Sequence, residues 1–264
     1  PPPDRPSVAF PGLKSGPGGI LESPCGLLLP SVASPSSPYP QGTLPASKSG
    51  DRLTLPPPRS LLIASGNLHK HDEIRRALPK GFAHLMVPSQ LEATVGSAAP
   101  DPVEDGETLL ENAIIKAHAF SIWSGLPAMA DDTGLMVTAL DGAPGVHTAR
   151  WAGENATFEE NMTKVLDQLS GVPTAQRSAE FRCVIALCDG DQVLLTVEEG
   201  CPGSITQKVE GNAGFGYDPI FVPEGETRTF AQLDAAEKDA VSHRGRALRR
   251  FSELYQQCDL TGGF

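Results

Sequence analysis

No stretch of this sequence approaches the ~20 consecutive apolar residues that cross a bilayer as a helix. The longest early candidate, residues 19–30, is interrupted by Glu22, Ser23 and Pro24, so the chain reads as soluble and not as a membrane protein. Cysteine is scarce. Cys25, Cys183, Cys188, Cys201 and Cys258 are odd in number and show neither C-x-x-C nor the Cys/His spacing of a zinc site, which fits the reducing cytoplasm best. Positive charge is also short: 21 Lys and Arg stand against 32 Asp and Glu, a formal net charge of -11. That balance argues against a surface that holds nucleic acid through its phosphates. It leaves room for a small phosphorylated ligand, because a few Lys and Arg with a metal reverse the sign inside one cleft.

Proline is in excess, 25 of 264 residues, and the hydrophobic fraction of 39% is a little below the globular norm. Part of the chain is therefore not expected to be globular. Residues 1–59 are dense in Pro, Ser and Gly and read as a disordered tail. Residues 60–258 read as the folded domain and 259–264 as a short C-terminal tail. The chain opens on Pro1 and not on methionine, which fits a fragment, a processed end or a mistaken start.

At Ser60 the composition changes. Leu61, Leu62, Ile63 and Ala64 form an apolar run stopped by Gly66 and Asn67, which predicts a buried strand. A helix over 70–78 follows, with Ile74, Ala77 and Leu78 on its inner face and Asp72, Glu73, Arg75 and Arg76 elsewhere. Thr108 with Glu111 and Thr157 with Glu160 are capping boxes that open two further helices. Between those helices, residues 126–130 read as a short strand ending at Asp131 and Asp132. Alternation over 181–187, a turn at Asp189 and Gly190, and Val193, Leu195 and Val197 predict an antiparallel hairpin. Residues 242–255 read as a basic amphipathic helix with Ala247, Leu248, Phe251 and Leu254 inside.

Several residue groups suit phosphate chemistry. Ser65, Gly66, Asn67, Leu68, His69 and Lys70 join the first strand to the first helix, where backbone N–H groups and a lysine suit phosphate oxygens. No Walker spacing is present, and taken alone the segment fits an ordinary strand-to-helix turn. Adjacent carboxylates on an extended strand point to opposite faces, so one of Asp131 and Asp132 can reach into a cleft. Such hard oxygen donors suit Mg²⁺, although a solvated Asp-rich turn fits the pair equally. The acidic residues Glu104, Asp105, Glu107 and Glu111 offer a further ligand or merely a solvated face. Gly211, Gly214 and Gly216 surround Phe215, Tyr217 and Asp218, a loop in which a ring can stack on a planar base or sit in the core. Lys238, His243 and Arg244 add cations near a helix start, where surface cations are common.

The order of these segments is more specific than any one of them. Ser-Gly-Asn-x-x-Lys, Glu-Asp-Gly-x-Thr with Glu-Asn-Ala-x-x-Lys-Ala, Ala-Asp-Asp-Thr-Gly-Leu, Gly-Ala-Pro-Gly-Val, Gly-Phe-Gly-Tyr-Asp-Pro-Ile-Phe and Glu-Lys-x-x-x-Ser-His-Arg-Gly occur in that order. Together, over roughly residues 60–255, they resemble the RdgB/HAM1 family of inosine and xanthosine triphosphate pyrophosphatases. Three positions depart from the family's usual residues: Ser65 for threonine, His69 for a small or basic residue, and Leu109 for phenylalanine.

The resemblance implies an elongated, two-lobed α/β fold with a central mixed β-sheet flanked by helices, a substrate cleft between the lobes, and a homodimer. It assigns Ser65, Gly66, Asn67, Leu68, His69 and Lys70 to the triphosphate, Asp132 to the catalytic base and the metal, Glu104 to a second metal ligand, and Thr133 to substrate. Phe215, Gly216, Tyr217, Asp218, Lys238, His243 and Arg244 correspond to the nucleoside and base pocket. The implied reaction converts ITP, dITP or XTP to the monophosphate and pyrophosphate by attack of water on the α-phosphorus, with Mg²⁺ and Lys70 offsetting charge on the phosphates. A related pyrophosphatase for pyrimidine or modified nucleotides, and a nucleotide sensor without turnover, are the competing readings.

Overall fold

The computed structural model describes residues 60–260, the last three by backbone alone, together with the backbone of two short strands, β1 (Leu21–Glu22) and β2 (Leu28–Leu29), which pair antiparallel. Apart from those four residues, the tail expected over 1–59 lies outside the described residues, as does most of the tail expected over 259–264. The chain divides into two units, one of residues 57–256 and one of the remainder.

The order is β3 (Ser60–Ile63), α1 (Leu68–Ala77), β4 (His84–Met86), α2 (Glu92–Val95), α3 (Leu109–Ser124), β5 (Ala128–Val137), β6 (Pro144–Gly145), α4 (Phe158–Gln168), β7 (Ser178–Asp189), β8 (Gln192–Ile205), β9 (Phe221–Pro223), α5 (Ala235–Val241) and α6 (His243–Leu260). One mixed sheet runs β4-β3-β5-β7-β8-β9, with β6 paired to β5. β3 is parallel to both its neighbours and the remaining pairs are antiparallel. Leu61, Leu62 and Ile63 are fully buried, as expected of a short strand covered on both faces. The α/β class and the mixed sheet flanked by helices are as expected.

The helix starts follow their caps. Asn67 accepts from the N–H groups of His69 and Lys70, so α1 begins at Leu68, two residues before the predicted start. Thr108 and Glu111 form the expected capping box on α3, and Thr157 and Glu160 the one on α4. The hairpin β7–β8 turns at Gly190, as predicted, and is longer than its alternating stretch. Ser242 ends α5 instead of opening α6. The two helices meet closely because residue 245 is glycine: a Cβ there would strike the carbonyl oxygen of Asp239.

Two expectations need correction. Asp131 and Asp132 are not at a strand end: β5 continues to Val137, with Asp131 opposite Ile185 and Asp132 opposite Val184 in β7. Thr133 and Gly134, which resemble turn residues, belong to the ladder, and Gly134 is required by close packing, since a Cβ would lie 2.9 Å from the carbonyl oxygen of Gly145. The chain turns only at 138–142, where Asp141 has φ 52°. Glu73, placed with the outward charges of α1, is buried beside Ile74.

Two hydrophobic clusters share β5 and β7. Ala128 and Ala130 join Leu62, Ala113, Ala117 and Phe120 in one. Leu135 and Val137 join Val165, Phe181, Phe221 and Phe230 in the other. Residues 131–134 occupy the intervening stretch of β5, so the aspartates lie between two cores. Among the described residues no helix is long and apolar enough to cross a membrane.

Candidate active site

The loop after β3 is built around the α1 N-terminus. Ser65 Oγ accepts from Asn67 N–H at 3.1 Å, and Asn67 Oδ1 from His69 and Lys70 N–H at 2.9 and 3.4 Å. The His71 ring lies 2.6 Å from the Ser65 carbonyl and ties the loop to its helix. Gly66, Leu68 and His69 are exposed. A helix N-terminus carries partial positive charge and suits anions. Lys70, in the first turn, reaches across to β5: its Nζ lies 3.1 Å from Asp131 Oδ2 and 3.3 Å from the Asp131 carbonyl oxygen.

Strand alternation separates the two aspartates. Asp131 Oδ2 accepts from Arg244 Nε and Nη2 at 3.1 and 3.0 Å in addition to its pairing with Lys70. Burial opposes its charge, but Lys70, Arg244 and Lys116 outweigh it and hold the carboxyl well below the usual carboxylate range. Asp131 Oδ1 has no hydrogen-bond partner. Asp132 faces Lys116 of α3, with Oδ1 2.6 Å from Nζ, and the same Nζ lies 2.8 Å from Glu104 Oε2. Burial raises the Asp132 carboxyl above its ordinary value, against the pull of Lys116 and Lys70.

A second buried network lies beside the first. Lys238 pairs with Glu73 Oε1 at 2.7 Å and Asp218 Oδ2 at 2.6 Å. Arg244 donates to Glu73 Oε2 through Nη1 and to Thr133 Oγ1 at 3.1 Å through Nη2. Burial works against the charge of Glu73, yet Arg244 and Lys238 together lower its pKa. Asp218 Oδ2 also accepts from Phe215 N–H at 2.8 Å, and Gly216, with φ 62°, turns the chain between them.

The rings divide clearly. Phe215 is half-buried and lies under the Lys238 ammonium (4.9 Å to the ring centre) and the Arg244 guanidinium (5.5 Å). His69 stacks on it at 5.3 Å between centres. Tyr217 is only 3% exposed, donates its hydroxyl to the Thr148 carbonyl at 2.9 Å and belongs to the core. His243 stacks on Phe181 at 4.5 Å and is 3% exposed; burial, with Arg244 and Lys238 nearby, drops its pKa well below 6.5, so the ring is neutral. Its Nδ1 has no partner.

Lys70, Glu104, Asp132, Thr133, Phe215, Asp218, Lys238 and Arg244 therefore gather around three carboxylate–cation groupings, whereas Tyr217 and His243 are packed in the core. Two further members were given no role from the sequence. Lys116 is the lysine of the Glu-Asn-Ala-x-x-Lys-Ala segment and sits within the apolar stripe of α3, and that motif is the available signal. Glu73 offers less, since it looks like any charged helix residue until Lys238 and Arg244 are brought to it from far along the chain.

Glu104 Oε2 and Asp132 Oδ1 converge on one cation, the Lys116 ammonium, at 2.8 and 2.6 Å. Among the described residues no group of three or more His, Cys, Asp or Glu is placed to hold a metal. Mg²⁺ is commonly bound by one or two carboxylates, with water and substrate phosphates completing its shell. Two carboxylates that share one cation are a donor set of that kind. Glu111 is occupied at the α3 cap, accepting from Glu107 and Thr108 N–H at 2.8 and 3.1 Å.

Residues 61–254 match the Ham1 family. The chain is 44% identical over 198 residues to a dITP/XTP pyrophosphatase of Streptomyces avermitilis, covering 75% of this chain and 97% of the relative. It is 43% identical over 202 residues to a dITP/XTP pyrophosphatase of Coxiella burnetii, covering 76% and 98%. Among solved structures, a HAM1 protein from Coxiella burnetii superposes with a TM-score of 0.67 at 40% identity over 75% of this chain and 98% of that one. A nucleoside-triphosphatase / dITP/XTP pyrophosphatase from Mycobacterium abscessus gives 0.58 at 41% identity, covering 73% and 98%. Segment order, fold and these likenesses agree: the chain belongs to the Ham1 family.

Proposed function

We propose that this chain hydrolyses non-canonical purine nucleoside triphosphates (ITP, dITP and XTP) to the monophosphate and pyrophosphate, removing them from the nucleotide pool. The names of its relatives support the substrate class. The observation that carries the site assignment is the reach of Lys70 from the α1 N-terminus to Asp131, which joins an anion-binding helix end to the strand bearing Asp132.

In this reading the α1 N-terminus and Lys70 hold the phosphate chain. Asp132 orients the attacking water and takes its proton, a task favoured by a carboxyl whose pKa burial has raised. Glu104 and Asp132 hold Mg²⁺, which when bound supplies positive charge against the phosphate oxygens. Phe215 stacks on the base, and Lys238 and Arg244 border the same ring. A donor that pairs with a 6-oxygen loses its partner opposite the 6-amino group of adenine, a difference of ~4 kcal/mol or about 1000-fold in selection.

The proposal extends to a homodimer in the cytoplasm. Exposed Val103, Ile122 and Val209 are apolar material for an interface, and the free thiols Cys183, Cys188 and Cys201 suit a reducing compartment. Pyrophosphate release from ITP, dITP and XTP, compared with ATP, GTP, CTP and UTP, tests the activity. Release from the first three should dominate; equal or faster release from a pyrimidine nucleotide, or none from any, overturns the reading.

A further inference from the structure

Lys116, the lysine of the Glu-Asn-Ala-x-x-Lys-Ala segment, has no task in the proposed chemistry. Its side chain is about nine-tenths buried, and its Nζ lies 2.6 Å from Asp132 Oδ1 and 2.8 Å from Glu104 Oε2. Glu104 comes from the irregular segment before α3, and Asp132 from β5. Two carboxylates brought together from separate elements repel unless a cation lies between them. Here that cation is covalently part of α3.

We infer that Lys116 is a tethered counterion for the Glu104–Asp132 pair: it holds the two carboxylates together while the site is free of metal and must be displaced from them when a divalent cation binds. The inference rests on the reading that Glu104 and Asp132 are metal ligands. Its physical basis is that ammonium and metal need the same oxygens. Mg²⁺ binds carboxylate oxygens at about 2.0–2.1 Å in a near-octahedral shell, and a second cation within hydrogen-bond distance of those oxygens is a like charge at short range. The lysine thereby makes the metal-free site stable at the expense of metal affinity. It also keeps Glu104, whose side chain is about one-third exposed, in position for the incoming ion, aided by Arg150, which donates to the Glu104 carbonyl at 3.2 Å.

Two measurements on the whole chain test this, neither requiring turnover: the melting temperature without metal, and the affinity for Mg²⁺ or Mn²⁺ alone by isothermal titration calorimetry. Lys116→Met should melt lower than the parent without metal and bind Mg²⁺ at least about tenfold more tightly, because no buried ion pair has to be broken first. Lys70→Met removes a nearby charge that touches Asp131 and not the pair, and should tighten Mg²⁺ much less. If Lys116→Met does not fold, Lys116→Gln, which keeps donors without the charge, carries the same comparison. Unchanged or weaker Mg²⁺ binding in the Lys116 variant, or equal tightening in Lys70→Met, overturns the inference while leaving the metal reading intact. Retention of full Mg²⁺ affinity by Glu104→Gln removes the metal reading, and the inference with it.

Discussion

Asp131 and Asp132 are adjacent in β5 and face different cations: Asp131 Oδ2 lies 3.1 Å from Lys70 Nζ and 3.0 Å from Arg244 Nη2, whereas Asp132 Oδ1 lies 2.6 Å from Lys116 Nζ. Strand geometry alone dictates the split, since successive side chains leave opposite faces. Asp131 is thereby fixed as the charged centre of a buried network, and Asp132 is turned toward the carboxylate of Glu104. The two positions should respond differently to the same substitution.

Asp132→Asn is expected to lower kcat by about 10²–10⁴, the usual loss on removing a general base, with little change in melting temperature because Lys116 keeps Glu104 as a partner. Asp131→Asn should behave in the opposite sense on stability. It leaves two cations facing a neutral amide in a buried site, a loss on the order of 3–5 kcal/mol. Thermal melts alongside kcat for both variants check the pair; activity of Asp132→Asn within about tenfold of the parent would move the base elsewhere.

Glu73 holds Lys238 and Arg244 with separate oxygens. Glu73→Gln should therefore destabilise the domain by ~3–5 kcal/mol, because one change leaves two buried cations short of a counter-charge. It should also raise KM more than it lowers kcat, since both cations border Phe215 and neither touches Asp132. Denaturant midpoints and steady-state kinetics test this; a fall in kcat at unchanged KM would place Glu73 with the chemistry instead.

How far the sequence showed these arrangements depended on the range of the interaction. Local chemistry was readable: Thr108 with Glu111 and Thr157 with Glu160 are satisfied within one turn, and both capping boxes form. The Asp-Asp-Thr-Gly segment misled because its residues favour turns locally, while their strand state is enforced by pairing with β7, some fifty residues later. Glu73 was misplaced for the same reason, its partners lying 165 and 171 positions away. Motif order carried the long-range information that periodicity lacked, assigning Lys70, Asp132, Lys238 and Arg244 to one site before any contact between them was known.

His243 makes stability depend on pH. Burial and the neighbouring cations depress its folded-state pKa well below 6.5, so as pH falls below about 6.5 the unfolded chain takes up a proton that the folded chain refuses. Stability from this residue is full above that pH and declines below it. His243→Gln should flatten the decline between pH 6.5 and 5, measured by denaturant unfolding at several pH values. An identical slope in parent and variant would mean that His243 takes up its proton equally in the folded and unfolded chain.

Arg244 joins the Asp131 and Glu73 groups and lies beside the Phe215 ring. A guanidinium has five N–H donors, and four are engaged: Nε and one Nη2 hydrogen on Asp131, the other Nη2 hydrogen on Thr133, and one Nη1 hydrogen on Glu73. That count leaves one Nη1 donor, on a guanidinium 5.5 Å from the centre of the Phe215 ring. If that donor reads the 6-oxygen of the base, Arg244→Lys, which keeps the charge and loses the fork, should cut kcat/KM for ITP strongly and for ATP much less. The ITP-to-ATP ratio would then narrow by about tenfold or more, the scale of a lost charged hydrogen bond in a desolvated site. Arg244→Ala should narrow it similarly, with an added loss of stability from stranding Asp131 and Glu73. If Arg244 serves only to shape the pocket or to hold phosphate, both nucleotides lose alike in Arg244→Lys and the ratio persists. Measuring kcat/KM for ITP and ATP with that variant decides between them, and an unchanged ratio takes Arg244 out of base recognition.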